Sequence, residues 1–223
     1  MTGAATMTVD PARVGAVLAR AFADDPMFRY VLPDPRARTQ RLPTLFAGSA
    51  RHAARYGGVA SVEDGRGIAV WTGQAHMTIR FADAIRGGMV TLPLRLGIGA
   101  VGRLQRHEGA AETLITRVAP QPFAYLQSLG VEPASRGEGL GRRTVATALA
   151  QMRAAGHGRC VLRTENRTNV AMYEHLGFRL CGEGRIAASG LTAWVFVRNT
   201  SDGSDGSGTS DGSGTSDDRH GSL

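Results

Sequence analysis

The chain has 223 residues, and about 200 of them suit one domain with a hydrophobic core. All 26 basic residues are arginines, and the lack of lysine excludes both a lysine Schiff base and a phosphate loop that needs lysine. No apolar run approaches the roughly 20 residues that span a bilayer, and residues 1–8 lack the features of a signal peptide, so we expect a cytoplasmic protein with no membrane partner.

The charge is unevenly distributed along the chain. Residues 1–199 carry 25 basic and 14 acidic groups, a net charge of +11, whereas residues 200–223 hold five Asp and a single Arg. A positive folded part attracts anionic ligands. No basic run is interleaved with aromatic residues, which make up 6% of the chain, so we expect no nucleic acid partner. A phosphorylated small molecule explains the charge equally well.

The N-terminal part predicts two helices with a short segment between them. Asp10-Pro11 is a helix start, an N-cap followed by proline at the first helical position, and apolar residues then repeat at helical spacing. Asp24-Asp25-Pro26 breaks this helix, and the short aromatic segment 27–32 follows. A second helix is predicted from about Arg36 to Tyr56, where a Gly-Gly pair ends it.

The middle of the chain predicts a hairpin and then a helical cover. Residues 59–62 and 68–71 flank Asp64-Gly65, which is a hairpin signal. Residues 74–122 are less regular, and we interpret them as a helical cover over a site. The helix-like pieces of this cover are residues 77–85, 92–104 and 108–117.

From Pro122 onward the chain predicts a regular succession of strands and helices. Such a mixture indicates an α/β or α+β domain, which we place at residues 10–198. Residues 1–9 are predicted to be flexible, and the Gly/Ser/Asp-rich residues 199–223 to be a disordered tail. Cys160 and Cys181 are expected to be buried free thiols. The predicted strands are residues 123–131, 159–164, 179–186 and 191–198, and the predicted helices are residues 139–155 and 169–176.

Three alternating glycines, Gly137, Gly139 and Gly141, join a predicted strand to a predicted helix. Backbone N–H groups at such a helix N-terminus bind phosphate, so we expect a pyrophosphate ligand here. The dinucleotide fingerprint Gly-x-Gly-x-x-Gly fails because Arg142 stands at its third glycine position. The pattern Arg-x-x-Gly-x-Gly, which begins at Arg136, is met.

Two segments in this order resemble the GCN5-related N-acetyltransferase (GNAT) family. Residues 129–141, LGVEPASRGEGLG, resemble the family's acetyl-CoA signature, and residues 162–178, LRTENRTNVAMYEHLGF, resemble its second motif. Residues 21–28, AFADDPMF, resemble a subgroup that includes puromycin-type acetyltransferases. The resemblance covers residues 10–198, except that residues 74–120 match no family motif.

The resemblance implies a mixed, mostly antiparallel central sheet of six to seven strands, flanked by helices. It also implies that two strands splay apart at an acetyl-CoA site, where the pantetheine arm fills the gap and the pyrophosphate lies on the glycine turn. No metal is implied. The residues carried over to this chain for acetyl-CoA binding are Leu129, Gly130, Val131, Arg136, Gly137, Glu138, Gly139, Leu140, Gly141, Arg142, Asn166, Asn169 and Tyr173.

Tyr173 stands where the family places the general acid that protonates the leaving thiolate, and a phenol is still protonated at neutral pH. The strand before the glycine turn, where family members often hold a base, has Tyr125 and Gln127 and no carboxylate. Tyr125 is our candidate for a base that acts through a water relay. The alternatives from the helical cover are His107, Glu108 and Glu112.

The function implied is transfer of acetyl from acetyl-CoA to a primary amine, by direct attack in a ternary complex. The subgroup resemblance favours a small-molecule amine, and the positive folded part disfavours a polycationic acceptor. Two alternatives remain open: a protein N-terminal or lysine acetyltransferase, and a catalytically silent acyl-CoA-binding sensor or regulatory module. Dimers are common among relatives of this kind, so a homodimer is expected.

Overall fold

The structure is a computed structural model that describes residues 9–79 and 92–202. The helices in these ranges are α1 (Pro11–Ala21), α2 (Pro26–Val31), α3 (Pro35–Tyr56), α4 (Leu92–Leu96), α5 (Ile98–Val118), α6 (Leu140–Ala154) and α7 (Asn169–His175). The strands are β1 (Gly57–Val62), β2 (Gly67–Gly73), β3 (Ala124–Val131), β4 (Arg159–Thr164), β5 (Arg179–Arg185) and β6 (Thr192–Asn199).

The first three helices begin by the same local device. Asp10, Asp25 and Asp34 each precede a proline, and each side chain accepts a hydrogen bond of 3.0 Å from the backbone N–H two residues later. The carboxylate satisfies one of the free N–H groups of the first turn, and proline at the first helical position loses no hydrogen bond. The sequence therefore fixes these helix starts locally.

The six strands form one sheet in the order β1-β2-β3-β4-β6-β5. Only the central pair, β3 and β4, runs parallel; the other four pairs are antiparallel. This arrangement confirms the predicted mixed, mostly antiparallel sheet. The parallel pair follows from the connection, because α6 crosses from the end of β3 to the start of β4.

Helices cover both faces of the sheet, and alternate strand residues point to opposite covers. Ala124 and Leu126 pack in the cluster that contains α6, whereas Tyr125 packs in the cluster that contains α5. Ile68 and Val70 pack against α1 and α3 in a third cluster. One face is therefore covered by α6, and the other is shared between α1 to α3 and α5.

The helical cover differs from its prediction. Residues 77–79 are not helical, and residues 80–91 lie outside the described residues. The pieces 92–104 and 108–117 become the short helix α4 and the continuous helix α5, which are separated at Gly97 with φ 90°. Since a side chain rarely adopts this φ, glycine permits the break there. Helix α5 continues through His107, whose ring is fully buried and contacts Ser189 and Glu165.

The C-terminal boundary also differs slightly from its prediction at residue 198. Strand β6 ends at Asn199, and the buried Thr200 donates a hydrogen bond of 2.8 Å from Oγ1 to the His157 carbonyl. Residues 1–8 and 203–223 lie outside the described residues, so the predicted flexible N-terminus and tail stay predictions. Cys160 is buried, Cys181 is partly buried, and both are free thiols. Within residues 9–79 and 92–202, no helix is long and apolar enough to cross a membrane.

Candidate active site

The glycine turn forms an open cradle at the N-terminus of α6. Gly137 and Gly139 have φ of 88° and 72°, in the left-handed region that glycine adopts without strain. A Cβ added at Gly137, Gly139 or Gly141 would meet no described atom within 4 Å, so the space above the turn is free for a ligand. The first N–H groups of the helix have no partner within the helix and point toward this space. The cradle fits a pyrophosphate.

The acidic residue inside the turn is neutralised by a neighbouring arginine. Glu138 pairs with Arg66 at 2.8 Å, and Arg66 also donates to Ser135 Oγ at 3.1 Å. Glu138 therefore offers its backbone to a phosphate while its carboxylate is held by Arg66. Arg136 and Arg142 are exposed beside the turn and add positive charge.

Strands β3 and β4 separate halfway along their length. Their pairing covers only Ala124 to Leu126 of β3, although β3 continues to Val131. From Gln127 onward this edge of β3 has no β4 partner, so its backbone groups are free to pair with an amide-bearing ligand. The predicted splay is confirmed. Leu129, Gly130 and Val131, predicted to contact the pantetheine arm, lie along this open edge.

A β-bulge lies at the point where the strands separate. The register of β2 with β3 shifts so that Gln127 is the extra residue on β3. Gln127 Nε2 donates to the Met77 carbonyl at 3.2 Å, and Gln127 Oε1 is buried without a hydrogen-bond partner among the described residues. Bulges redirect side chains next to active sites, and a buried acceptor without a partner marks a place for a ligand donor.

A cavity of about 290 Å³ lies over the separated strands. Its wall on one side is aromatic: Phe22, Phe28 and Phe46 are in mutual contact, with ring centroids 5.1 to 5.8 Å apart. Its charged lining residues are Asp25, Glu108, Arg163 and Glu165. Its remaining lining includes Leu45, Val101, Leu104, Tyr125, Gln127, Leu129, Asn169 and Tyr173.

Asp25 is a carboxylate of this cavity whose ionisation is shifted toward the neutral form. Burial, followed by the negative charge of Glu165, raises its pKa to about 6, although Met27 and Phe28 donate backbone hydrogen bonds and Arg163 lies nearby. Because a carboxyl group with a pKa near 6 changes protonation just below neutral pH, Asp25 is suited to accept and release a proton.

Arg163 and its partners form an ion cluster at the floor of the cavity. Arg163 donates to both carboxylate oxygens of Glu108, at 2.8 and 3.3 Å, and its Nε lies 2.6 Å from Glu165 Oε1. His107 Nε2 donates to the same Glu165 oxygen at 3.1 Å. Burial opposes ionisation of Glu165, but Arg163 and His107 outweigh it, so its pKa lies below the usual range.

The two tyrosines of the cavity are both neutral donors at physiological pH. Burial raises the pKa of Tyr173 well above its usual value, and Asp25 adds to the effect. Burial likewise raises the pKa of Tyr125, although Arg163 opposes it. Tyr173 packs in the α6 cluster and lines the cavity from that side of the sheet, whereas Tyr125 belongs to the α5 side.

The two asparagines of the second motif have different surroundings. Asn166 Oδ1 accepts from Thr168 N and Thr168 Oγ1, at 3.1 and 2.8 Å, so it organises the turn before α7. Asn169 lines the cavity, and its Nδ2 donates to Thr164 Oγ1 at 3.3 Å. The side chain of Asn169 is the one placed to meet a ligand.

Of the predicted site residues, Tyr125, Leu129, Asn169 and Tyr173 line the cavity, whereas the glycine turn lies at the N-terminus of α6 and does not line it. Of the suggested bases, Glu108 lines the cavity, His107 lies beneath it, and Glu112 accepts from Thr78 Oγ1 at 2.7 Å outside it. Sequence reasoning missed Asp25, Arg163 and Glu165. The available signal was that Asp25 is an acidic residue within residues 21–28, which resemble an acetyltransferase subgroup. We interpreted Asp24-Asp25-Pro26 only as a helix break.

Residues 98–178 match the family model described as the acetyltransferase (GNAT) family. These residues carry the glycine turn, the separated strands and Tyr173. This part of the chain is similar to the GNAT family. The puromycin-type subgroup has no such support and stays a prediction.

A curated GNAT relative is N-alpha-acetyltransferase RimI of Mycobacterium tuberculosis, which is 35% identical over 86 residues. The match covers 37% of this chain and 54% of the relative, so the chain spans about half the length of the curated relative that it matches.

Solved structures share the fold over most of the chain. An arylalkylamine N-acetyltransferase 2 from Aedes aegypti has a TM-score of 0.56 and 15% identity, covering 85% of this chain and 94% of that one. An agmatine N-acetyltransferase has a TM-score of 0.53 and 18% identity, with the same shares of each chain. At these identities the likeness shows the GNAT fold alone.

The first prediction concerns Gly141, the one glycine of the turn that lies within α6 and has no positive φ. Gly141→Ala raises helix propensity and should stabilise the protein by about 0.5–1 kcal/mol, while its methyl group occupies the ligand cradle and weakens acetyl-CoA binding at least about tenfold. Thermal unfolding and calorimetric titration measure the two effects. The control is Gly102→Ala in α5, which should stabilise similarly and leave acetyl-CoA affinity unchanged. Unchanged affinity in Gly141→Ala would contradict the pyrophosphate assignment.

Proposed function

We propose that this protein is an acetyl-CoA-dependent N-acetyltransferase that acts on a small primary amine with an apolar body. The observation that carries the proposal is the single cavity in which the open edge of β3, Tyr173 and Asp25 meet. The cradle at the glycine turn and the open strand edge fit acetyl-CoA, which supplies the acetyl thioester when bound. The cavity supplies the groups that a proton-coupled acyl transfer needs.

Asp25 is the proposed general base, in place of Tyr125. The amine must lose a proton to become a nucleophile, and a carboxylate with a pKa near 6 is ionised at neutral pH yet basic enough to accept it. Tyr125 is a poorer base because burial keeps its phenol protonated. Its hydroxyl lines the cavity as a neutral donor, so a part in a water relay requires no ionisation of this residue.

Tyr173 is the proposed general acid. Its raised pKa keeps the proton on the phenol until a thiolate forms beside it. A direct attack by the amine agrees with the cysteines, since neither Cys160 nor Cys181 lines the cavity and burial raises the pKa of both thiols. A ternary complex of enzyme, acetyl-CoA and amine is therefore the proposed reacting species.

The acceptor class follows from the apolar part of the cavity lining. Three phenylalanines together with Leu45, Val101 and Leu104 form an apolar surface that suits an aromatic or aliphatic amine. The names of the arylalkylamine and agmatine acetyltransferases that share the fold agree with a small amine. The homodimer stays a prediction, and the proposed reaction does not depend on it.

Protein N-terminal acetylation is the second candidate, and the similarity to RimI favours it. That similarity extends over 86 residues, fewer than the range 22–173 that lines the cavity, so it does not include the whole acceptor site. A cavity walled by Phe22 and by side chains from α2, α3 and α5 suits a compact molecule better than an extended peptide.

The second prediction separates these candidates by the acceptor. With acetyl-CoA and a panel of 2-phenylethylamine, agmatine and an alanyl peptide, release of free thiol should be fastest with 2-phenylethylamine, by about tenfold or more in kcat/KM. Preference for the peptide would support the N-terminal acetyltransferase. Binding of acetyl-CoA without thiol release for any amine would support the silent sensor. The control is release in the absence of amine.

The third prediction concerns Asp25. Activity, as kcat/KM, should rise as the pH increases through about 6 and then level off, because the carboxylate is the active form. Asp25→Asn keeps a good N-cap and should lower kcat by about 100-fold or more. A level pH profile between pH 5 and 8, or an active Asp25→Asn, would contradict the role.

The same substitution, Asp25→Asn, should raise the stability of the protein although it lowers its activity. The folded pKa of Asp25 lies above its ordinary value of 3.8, so the protonated form is favoured by the fold and stability falls as the pH rises through about 6. At pH 8, Asp25→Asn should therefore be more stable than the wild type, by about 1–3 kcal/mol, and at pH 4 the two should agree. Urea unfolding at both pH values measures this difference.

The fourth prediction distinguishes the two phenols. Tyr173→Phe should lower kcat by about 100-fold while the affinity for acetyl-CoA changes less than about threefold, since only the proton donor is removed. Tyr125→Phe should cost less than about fivefold in kcat. Steady-state kinetics and calorimetry measure both variants. An equal loss in kcat for both would show that Tyr125 also takes part in proton transfer.

A further inference from the structure

Glu165 is held more rigidly than any role described so far requires. Its Oε1 is approached by Arg163 Nε at 2.6 Å and by His107 Nε2 at 3.1 Å, and the side chains of Glu165 and Arg163 are each 6% exposed. His107 is itself fixed, because its Nδ1 lies 2.9 Å from Ser189 Oγ in the turn between β5 and β6. Glu108 holds the other end of Arg163. The carboxylate thus has one position, set by β4, α5 and the β5–β6 turn.

The described part of the cavity that Glu165 lines carries an excess of negative charge, although the folded part is positive. Among residues 9–79 and 92–202, its charged lining residues are three carboxylates, those of Asp25, Glu108 and Glu165, against one guanidinium, that of Arg163. The fork of Arg163 engages both oxygens of Glu108, whereas Arg163 and His107 both contact Oε1 of Glu165. In a partly buried site an excess negative charge attracts a cation strongly.

Glu165 and Asp25 have opposite ionisation behaviour in this shared cavity. Glu165 remains ionised because Arg163 and His107 stabilise its charge, whereas burial and the charge of Glu165 make Asp25 easy to protonate. When the surroundings of two carboxylates give them different pKa values, one carboxylate stays charged during a reaction and the other accepts and releases the proton.

We propose that Glu165 is a positioning residue for the acceptor: its fixed negative charge attracts the ammonium form of the amine and holds it in the cavity beside Asp25. This assignment rests on the proposed acetylation of an apolar primary amine. The ammonium then gives one proton to the Asp25 carboxylate, and the neutral amine forms a C–N bond to the thioester carbonyl carbon. As the C–S bond breaks, the leaving thiolate takes the proton of Tyr173, and the second proton lost by the nitrogen returns the Tyr173 phenolate to its neutral form. Glu165 neither gains nor loses a proton in this sequence.

The fifth prediction tests charge selectivity with a matched pair of probes. 2-Phenylethylamine is a cation at neutral pH, and 2-phenylethanol has the same size and no charge. Glu165→Gln keeps the acceptor oxygen that Arg163 and His107 contact and removes the charge. It should weaken binding of the amine about 10- to 100-fold, the range of a charged hydrogen bond, and change binding of the alcohol less than twofold. Calorimetry on the full chain measures all four affinities.

A matched control removes an arginine-paired carboxylate outside the cavity. Glu132→Gln loses the pairing with Arg20, 2.7 Å in the structure, and should leave both affinities unchanged. The charged and titratable groups around Asp25 are Glu165, Arg163 and Tyr173, with Glu108 beyond Arg163. Removing the charge of Glu165 should therefore also move the acid limb of the kcat/KM profile to lower pH.

Equal losses for amine and alcohol in Glu165→Gln would show a merely structural role and overturn the proposal, as would unchanged affinity for both. If Glu165→Gln does not fold, Ser189→Ala replaces it. This variant frees His107 and should weaken amine binding about two- to fivefold without affecting the alcohol. Equal effects on the two probes would again overturn the proposal. Failure of the wild type to acetylate 2-phenylethylamine would instead refute the proposed acceptor class, on which this inference depends.

Discussion

The separation of β3 from β4 is the constraint on which the rest of the site depends. The two strands pair in parallel for three residues, Ala124 to Leu126, and then diverge, while β2 follows β3 to its end. A strand edge with unpaired backbone groups inside a domain is costly unless a ligand or another chain satisfies it. The gap therefore leaves backbone groups of β3 available to pair with a ligand amide. It is also the opening at which side chains from the two helical layers line the same cavity.

Each layer contributes a different chemical group to that opening. The α6 side carries the phosphate cradle and presents Tyr173, whereas the α1–α3 and α5 side presents the aromatic wall and the carboxylates. The donor half of the proposed reaction thus lies within the residues that match the family, 98–178. The aromatic part of the wall comes from Phe22, α2 and α3, outside that range. This division explains why the family match indicates the donor more readily than the acceptor.

The charged floor of the cavity unites elements that are distant in the chain. Arg163 is buried because Glu108 and Glu165 offset its desolvation, and His107 connects the cluster to the β5–β6 turn. Breaking one member of such a cluster leaves a buried charge without compensation, so the members depend on one another. Asp25 differs because no arginine of residues 9–79 and 92–202 forms an ion pair with it, and its pKa responds to Glu165 and Arg163 of this cluster.

Much of the fold was predictable from the sequence because its signals are local. The N-cap at Asp10-Pro11, the glycine turn and the strand patterns gave helix and strand bounds within a few residues of the observed ones. The short helix α2 was not predicted, because Asp25-Pro26 was interpreted as a helix break. The cover was predicted less well. A buried polar residue such as His107 has no local signature, and the break between α4 and α5 depends on the backbone at Gly97.

The sequence by itself indicated the donor side of the proposed reaction. The glycine turn predicted a phosphate cradle, and the family resemblance implied the separated strands and the tyrosine, because these are local motifs. Only the tertiary structure decided the acceptor side. Asp25 lies at a helix start, Glu108 in the middle of α5 and Glu165 after β4, and nothing in their spacing brings them together. Their pKa values arise from burial and from neighbours distant in the chain, and those quantities exist only after the layers pack.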